Sequence, residues 1–427
     1  MTSLILFGLF AVLLIFTVPI AISLGIASFC AMLYSGAAGK LFMSQGLITS
    51  TDSFPLMAVP FFILAGELMG AGGLSRRLLQ VASIICGQAT GGLALVTVVA
   101  CMFFAAISGS GPATVAAIGS IMLPTMLKEG YDKNFTGGLL ATAGSIGVII
   151  PPSIPMVIYS ISAEGVSASD MFLGGVIPGL LIGLGLMSVS WVISKRNNWI
   201  SQYKRPAPRE CLAILNDAKW ALFVPVLILG GIYGGVFTPT EAAAVAVIYG
   251  FVVGTFIYKD LRLADVPNVV ATAALTTASV LIIVGMATTF GRVLTMERVP
   301  QQLVELIASI STSPFVVMGL INLLLLFVGC IMETLAAIII LAPILLPIAV
   351  SVGVDPLHFG IIMVVNLAVG YVTPPVGANL FVTCAIADTS IEALCKKIWP
   401  FVLVMLFVLV LVTVFPQLSL FLPGLFK

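Results

Sequence analysis

"GVIIPPSIPMVIYS", beginning at Gly147, and "GYVTPPVGANLFVT", beginning at Gly370, decide how this chain is read. Each places a Pro-Pro pair inside a long apolar run. Two prolines remove two backbone donors and fix two φ angles. They also push the residue before them out of the α region. In hydrocarbon every unpaired backbone group costs several kcal/mol. Two buried helices broken in the same way therefore require a reason.

The surrounding composition sets the setting. The chain has 427 residues, 60% of them apolar and 8% charged, with a mean hydropathy of +1.22. A soluble domain carries roughly a quarter charged residues, so this chain lacks the charge to cover a soluble surface. Uncharged stretches recur at the ~20-residue length of a membrane-spanning helix. The ~10-residue alternation of transmembrane strands is absent. The fold class is an all-α polytopic membrane protein. A net charge of +1 leaves no basic footprint for nucleic acid. The seven cysteines form no CxxC pair and read as small apolar packing residues. His358 follows Asp355 and Pro356 near a helix start and reads as a surface or capping residue. No metal cluster and no nucleophile–base set is visible, so the chain is not read as an enzyme. Leu4 to about Leu33 is apolar, with no Lys or Arg before Lys40. It lacks the basic start of a signal peptide and is expected to be one retained membrane helix.

Further helices are expected at about 55–70, 78–104, 112–127, 135–163, 171–194, 219–236, 242–258, 267–290, 303–328, 335–350, 358–387 and 398–422. The one long polar stretch, Lys195 to Lys219, divides the chain into similar halves. Lys and Arg gather in cytoplasmic loops. Arg76, Arg77, Lys128 and Lys133 share a side only if 78–127 is a re-entrant hairpin around "AAISGSGPATVA". A second hairpin, 303–350, then enters from the outer face. On that count 14 of the 18 basic residues are cytoplasmic, with Lys40, Arg292, Arg298 and Lys427 outside.

A shift of 223 residues superposes the two halves. Leu123–Pro124, Gly130, Asp132, Gly137, Gly147 and Pro151–Pro152 fall on Leu346–Pro347, Gly353, Asp355, Gly360, Gly370 and Pro374–Pro375. These are eight identities in 30 ungapped positions. Matched Gly, Asp and Pro-Pro are informative where matched Leu or Val would not be. Each repeat reads as a hairpin, a Gly-x-Asp turn and a helix broken at Pro-Pro, and the two hairpins enter from opposite faces. Inverted repeats with discontinuous helices are the architecture of secondary transporters.

The breaks suggest a chemistry. The first tip carries Ser108, Gly109, Ser110, Gly111, Pro112 and Thr114, and faces Pro151, Pro152 and Ser153. The second carries Gly329, Glu333 and Thr334, and faces Thr373, Pro374, Gly377 and Asn379. Hydroxyls and carbonyls freed by proline are hard oxygen ligands suited to Na+. Each helix restarting after a break presents free N–H groups to an anion. Glu333 is in register with Ser110; it binds cargo or caps the second arm. Asn379 binds cargo or ties the broken backbone together. Glu67, in "FFILAGELMG", reads as a salt-bridge or interface residue, with a place in the site as the alternative. A Gly-Ser tip can also simply let helices pack closely.

Four stretches carry a family resemblance: "SGSGPATVAAIGSIMLP" at Ser108, "GVIIPPSIPMVIYS" at Gly147, "GGVFTPTEAAAVAV" at Gly234 and "GYVTPPVGANLFV" at Gly370. Over nearly its whole length the chain resembles the large membrane subunit of TRAP transporters, the tripartite ATP-independent periplasmic carriers. The resemblance implies a multi-pass protein of the bacterial cytoplasmic (inner) membrane that works as an elevator-type secondary transporter. It implies Na+-driven import of an acidic metabolite, with no organic cofactor. It also implies two partners: a small four-helix membrane subunit and a periplasmic substrate-binding protein. Some family members fuse the two membrane subunits; here the small subunit is expected to be a separate chain. Overall likeness favours sialic acid over a C4-dicarboxylate or sugar acid as cargo.

Carried over by position, cargo would meet Ser110, Gly111, Pro112, Ser153, Glu333, Thr334 and Asn379. Na+ would meet Ser108, Gly109, Ser110, Pro151 and Pro152, and, in the second repeat, Gly329, Thr334, Thr373, Pro374 and Gly377. The expected parts are N-terminal scaffold helices at 1–75, a first transport repeat at 76–170 and central scaffold helices at 171–290. A second transport repeat at 291–392 and a C-terminal helix at 393–427 complete them. The alternatives are a stand-alone Na+- or H+-coupled citrate or dicarboxylate carrier of the same ion-transporter superfamily, and a channel or membrane scaffold. A channel would show a continuous polar stripe or charged ring, which the sequence lacks.

Overall fold

A computed structural model describes residues 2–36, 42–163, 165–199, 201, 206–310 and 313–426. Lys40, Lys204, Arg205 and Lys427 of the charge count lie outside these. The first half holds α1 (Thr2–Ile15), α2 (Ile20–Ser35), α3 (Phe42–Thr51), α4 (Ala58–Ala71), α5 (Leu74–Cys86), α6 (Gly92–Ser108), α7 (Gly111–Lys128), α8 (Lys133–Ser145), α9 (Ile154–Ser162) and α10 (Ala168–Arg196). The second half holds α11 (Pro208–Tyr233), α12 (Pro239–Val252), α13 (Val266–Met296), α14 (Val299–Ile310), α15 (Pro314–Gly329), α16 (Thr334–Ser351), α17 (Pro356–Gly370), α18 (Ala378–Ala387), α19 (Ile391–Val414) and α20 (Gln417–Leu425). Six helices among the described residues are long and apolar enough to cross a membrane: α10, α11, α12 with its π-turn, α13, α16 and α19.

Three expectations needed correction. The single helix over 4–33 is two, α1 and α2, packed on each other. Pro19 fixes the start of α2, and Thr17 turns the chain with φ 58°. The arms 78–104 and 303–328 are each a separate short helix plus a hairpin arm. Gly91, with φ 71°, separates α5 from α6, and Pro314 begins α15. The polar central stretch is partly helical, because α11 begins at Pro208 rather than near 219. The topology downstream of Arg76 does not depend on the α1–α2 break.

The repeat reaches well beyond the 30 positions that disclosed it. α7 and α16, α8 and α17, and α10 and α19 each start 223 residues apart. The pairs α5 and α14, α6 and α15, and α9 and α18 follow the same order. The bent pair α3–α4 occupies the place of the continuous α13, and α2 packs on α13 as α12 packs on α4. The capping is also repeated. Asp132 accepts from Phe135 N at 2.8 Å to start α8, and Asp355 accepts from Leu357 N at 2.8 Å to start α17.

The two copies run in opposite directions. Lys133, at the start of α8, donates from Nζ to Asp388 O just past α18, at 2.6 Å. Tyr159, near the end of α9, donates from its hydroxyl to Pro356 O at the start of α17, at 2.8 Å. The start of each broken helix thus lies by the end of the other. The feet of the first hairpin come together: Gly91 N donates to Trp199 O at 3.0 Å, and the Trp199 ring lies 4.6 Å from that of Tyr131. That is the re-entrant geometry the basic residues required. α9 packs on α16 and α18 on α7, so each repeat lends its second half-helix to the other's hairpin. α10 lies against α6, α17, α19 and α20, and α19 against α8 and α17. α2, α3 and α4 gather around α13.

Candidate functional site

Each hairpin tip docks on the break of its own repeat through one backbone bond. Ile154 N donates to Gly109 O at 3.2 Å in the first, and Val376 N donates to Cys330 O at 3.1 Å in the second. These two bonds satisfy part of the backbone that the prolines would leave open at depth. Both Pro151–Pro152 and Pro374–Pro375 are cis. Gly147 and Gly370 are repeat equivalents and both press on a tip. A Cβ on Gly147 would lie 2.6 Å from Ser110 O, and one on Gly370 2.5 Å from the Gly329 carbonyl carbon. Only glycine allows approaches this close.

The two tip caps are also equivalent. Ser110 begins α7 and accepts from Ala113 N at 3.5 Å. Glu333 begins α16, accepting from Leu335 N at 2.9 Å and Ala336 N at 3.2 Å through Oε2. Its Oε1 accepts from Tyr371 OH at 3.0 Å. The capping reading of Glu333 therefore holds, and Glu333 lines a cavity as well.

That cavity, about 360 Å³, gathers both repeats. Ser108, Gly109, Ser110 and Pro112 form one side with Ile154, and Glu333, Tyr371 and Ala378 extend it. The facing wall comes from α4 and α13, with Glu67, Thr276 and Ser279. Its lining, among the described residues, contains no Lys, Arg or His. Among the described residues Glu67 makes no ion pair, so the salt-bridge half of its sequence reading is not met. It also lines a second cavity, along Ala113, Ala117 and Ser120 of α7.

The remaining sequence candidates sit behind this surface. Ser153 is fully buried and donates to Val148 O at 2.6 Å, while accepting from Met156 N at 3.4 Å. Its hydroxyl binds the broken backbone across the Pro-Pro pair. Thr373 instead bonds on the near side of its break, donating to Val369 O, four residues back, at 2.7 Å. Asn379 joins the halves: Nδ2 donates to Ala141 O at 3.0 Å in α8. Its Oδ1 is buried with no partner among the described residues, and a Cβ on Gly111 would lie 3.2 Å from it. Gly377 (φ 58°) starts α18, and Thr334 is buried at the start of α16. Pro151, Pro152 and Pro374 shape the breaks, Gly329 lies against Gly370, and none of these four lines the cavity.

Among oxygen atoms, Ser108 Oγ lies 3.0 Å from Thr114 Oγ1 and 3.3 Å from Ser110 O, and Thr114 Oγ1 lies 2.7 Å from Ser110 O. This buried set of hydroxyl and carbonyl oxygens has the hardness that Na+ prefers. The orphaned Asn379 Oδ1 is the matching feature near the second break, since a buried acceptor normally has a partner.

Sequence reasoning missed Tyr371, Thr276 and Ser279 and ranked Glu67 low. Nothing in one sequence marks which turns of α13 face the tips. His358 is buried rather than superficial, with Nδ1 2.6 Å from Ser419 Oγ; α20 covers it.

Comparison with known proteins agrees with this architecture. Residues 7–418 match the family described as "Tripartite ATP-independent periplasmic transporter, DctM component". The chain is 50% identical over 420 residues to the isethionate TRAP transporter permease protein DctMQ of Oleidesulfovibrio alaskensis, covering 98% of this chain and 66% of that relative. It is 44% identical to the C4-dicarboxylate TRAP transporter large permease protein DctM of Pseudomonas aeruginosa, over 88% of each. It is 38% identical to the sialic acid TRAP transporter large permease protein SiaM of Vibrio cholerae, over 96% and 95%. The fold is similar to the Alcanivorax borkumensis YdaH transporter, with TM-score 0.62 at 16% identity over 88% and 87%.

Proposed function

The chain belongs to the DctM component of the tripartite ATP-independent periplasmic transporters, a multi-pass inner-membrane permease, and from that premise we propose that it carries a small organic anion inward, coupled to Na+, by an elevator movement. The observation that carries this reading is the convergence of both tips and both breaks on one cavity faced by α4 and α13. The helices that pack with the tips (α6 to α10 and α15 to α19) form the moving body. α2, α3, α4, α11, α12 and α13 form the fixed one. We assign α10 to the moving body, where the sequence expectation had it in the central scaffold, and its packing on α6, α17 and α19 supports that assignment.

Na+ would be held by Ser108, Ser110 and Thr114 in the first repeat and near Thr373 and Asn379 in the second. It supplies the positive charge that the cavity lining lacks. Free N–H groups at the restarting helices and the tip hydroxyls then orient the acid group. A separate small membrane subunit and a periplasmic binding protein complete the system. Relatives named for isethionate and C4-dicarboxylate are more similar to this chain than the one named for sialic acid. Small sulfonic and carboxylic acids are therefore the first cargoes to test, ahead of sialic acid.

The test is uptake into proteoliposomes holding both membrane subunits, with binding protein and labelled acid outside. Uptake that needs an inward Na+ gradient and the binding protein supports the proposal. Full uptake without Na+, driven by a proton gradient alone, overturns the coupling. Uptake without binding protein favours the stand-alone carrier.

A further inference from the structure

A second chamber, about 650 Å³, continues from the tip cavity. Three helices contribute successive turns to both. On α9, Ile154 lines the tip cavity and Ile158, Ile161 and Ser162 line the chamber. On α16, Leu335 is followed by Ile339 and Pro343. On α13, Val280 and Ile283 are followed by Val284, Ala287 and Thr288. Residues three and four apart share a helix face, so the two spaces lie end to end along a common wall. All three helices run toward the outer face on the charge count. The chamber is therefore the periplasmic approach to the tips.

Its chemistry differs from that of the tip cavity. It is lined by hydroxyls of Thr49, Ser50, Ser53, Ser162, Thr288 and Thr295. It also holds one cation, Arg292. No carboxylate pairs with Arg292 among the described residues; its Nη2 donates to Thr49 Oγ1 at 3.2 Å. A guanidinium offers five donors in a planar fork, so most of its hydrogen-bonding capacity is open to a ligand. A cation with no carboxylate partner on the wall of a concave space concentrates anions there.

We propose that this chamber is an outer anion site: Arg292, supported by the hydroxyls around it, receives the carboxylate or sulfonate of an incoming molecule before it passes to the tips. The chemical class is a small organic monoanion or dianion with a planar or tetrahedral acid group. This rests on the inward direction of transport proposed above, but the site itself can be tested without any transport.

The experiment places a single cysteine at Thr288→Cys in a cysteine-free version of the full chain, in membranes oriented outside-out. The probes are two thiol reagents of similar size, an anionic methanethiosulfonate sulfonate and an uncharged methanethiosulfonate. The expected result is modification from outside, with the anionic reagent favoured by Arg292. Arg292→Gln slows the anionic reagent by about tenfold, the size expected for one nearby unit charge at intermediate dielectric. Arg292→Lys retains most of that rate. The uncharged reagent reacts equally in all three, which shows that each variant is folded. The proposal is overturned if Arg292→Gln leaves the anionic rate unchanged, or if Thr288→Cys reacts only from the cytoplasmic side. Lost anion preference in a protein that transports no organic acid would sink the proposed function and leave the site standing.

Discussion

Tyr371 OH donates to Glu333 Oε1 at 3.0 Å, linking the second break to the second hairpin tip through the same carboxylate that caps α16. One side chain therefore sets both the helix start and the docking of the tip. Glu333→Ala removes the cap and the Tyr371 bond together, so it is expected to cost more than Tyr371→Phe, about 2–5 kcal/mol. Tyr371→Phe is expected to cost about 1–3 kcal/mol, because it leaves a buried carboxyl oxygen without its donor. The two residues touch, so the double variant should lose less than the sum. Thermal unfolding of the purified protein measures all three; strict additivity would mean the bond contributes nothing.

The glycine contacts give a sharper pair of variants. Gly147→Ala and Gly370→Ala place a methyl group 2.6 Å and 2.5 Å from backbone atoms of the tips. Backbone cannot rotate away as a flexible side chain can, so each tip must lift off its break. Gly319→Ala is the control, since nothing lies within 4 Å of the added atom. The expected outcome is normal insertion of all three proteins in the membrane. Uptake should be lost in the first two and kept in the third. Wild-type transport by Gly147→Ala would show that the docking is loose.

Much of this arrangement was legible in the sequence, because proline and glycine act locally. Pro151–Pro152 and Pro374–Pro375 disclosed the breaks, and the matched Asp132 and Asp355 disclosed the repeat. The re-entrant hairpin followed from Arg76, Arg77, Lys128 and Lys133, since basic residues report their side of the membrane. What was not legible depends on packing between distant segments. Ser153 and Asn379 looked equally able to face cargo or backbone. Ser153 turns inward to Val148 O, and Asn379 reaches α8, 238 positions away in the chain. No spacing within either motif carries that information. In a chain this apolar, periodicity also fails to mark which face of α13 meets the tips, so Thr276 and Ser279 gave no signal.

On the side that the charge count assigns to the cytoplasm, Arg77 joins three elements. It bonds Asp260 Oδ2 at 2.6 Å and Asp217 Oδ2 at 3.0 Å, and its guanidinium carbon lies 3.6 Å over the Tyr258 ring. Partial burial pushes the Asp260 carboxyl up, but the hydrogen bonds and charges of Arg77 and Arg76 hold it below the usual carboxylate value. The folded pKa is lowered, so its stabilisation is fully present above the ordinary Asp pKa of about 4. It is lost as pH falls through the lowered value. Arg77→Ala should destabilise by about 1–3 kcal/mol, since charged hydrogen bonds are lost at a partly exposed site. That gap should be constant from neutral pH down to about 5 and shrink below about 4. Melting curves of both proteins across that range check it; a gap that widens in acid would contradict the sign.

The hydroxyls assigned to Na+ allow a separation of binding from folding. Ser110 accepts from Ala113 N at 3.5 Å, a long cap, and the Thr373 hydroxyl donates to Val369 O, four residues back. Neither contact is strong enough to hold the fold, so Ser110→Ala and Thr373→Ala should change stability by under about 1 kcal/mol. A ligand role predicts a much larger effect on coupling: the Na+ concentration for half-maximal uptake should rise at least tenfold in each. Asn379→Leu tests the orphaned Oδ1 of the second repeat. It should abolish Na+-dependent stabilisation and also lower the melting temperature, because Ala141 O loses its donor. The stabilisation conferred by Na+ grows with concentration over Kd. Melting temperature measured against Na+ therefore reads affinity directly, without any cargo. If Ser110→Ala and Thr373→Ala both keep the wild-type Na+ curve, the cation sits elsewhere and the breaks serve only to build the cargo cavity.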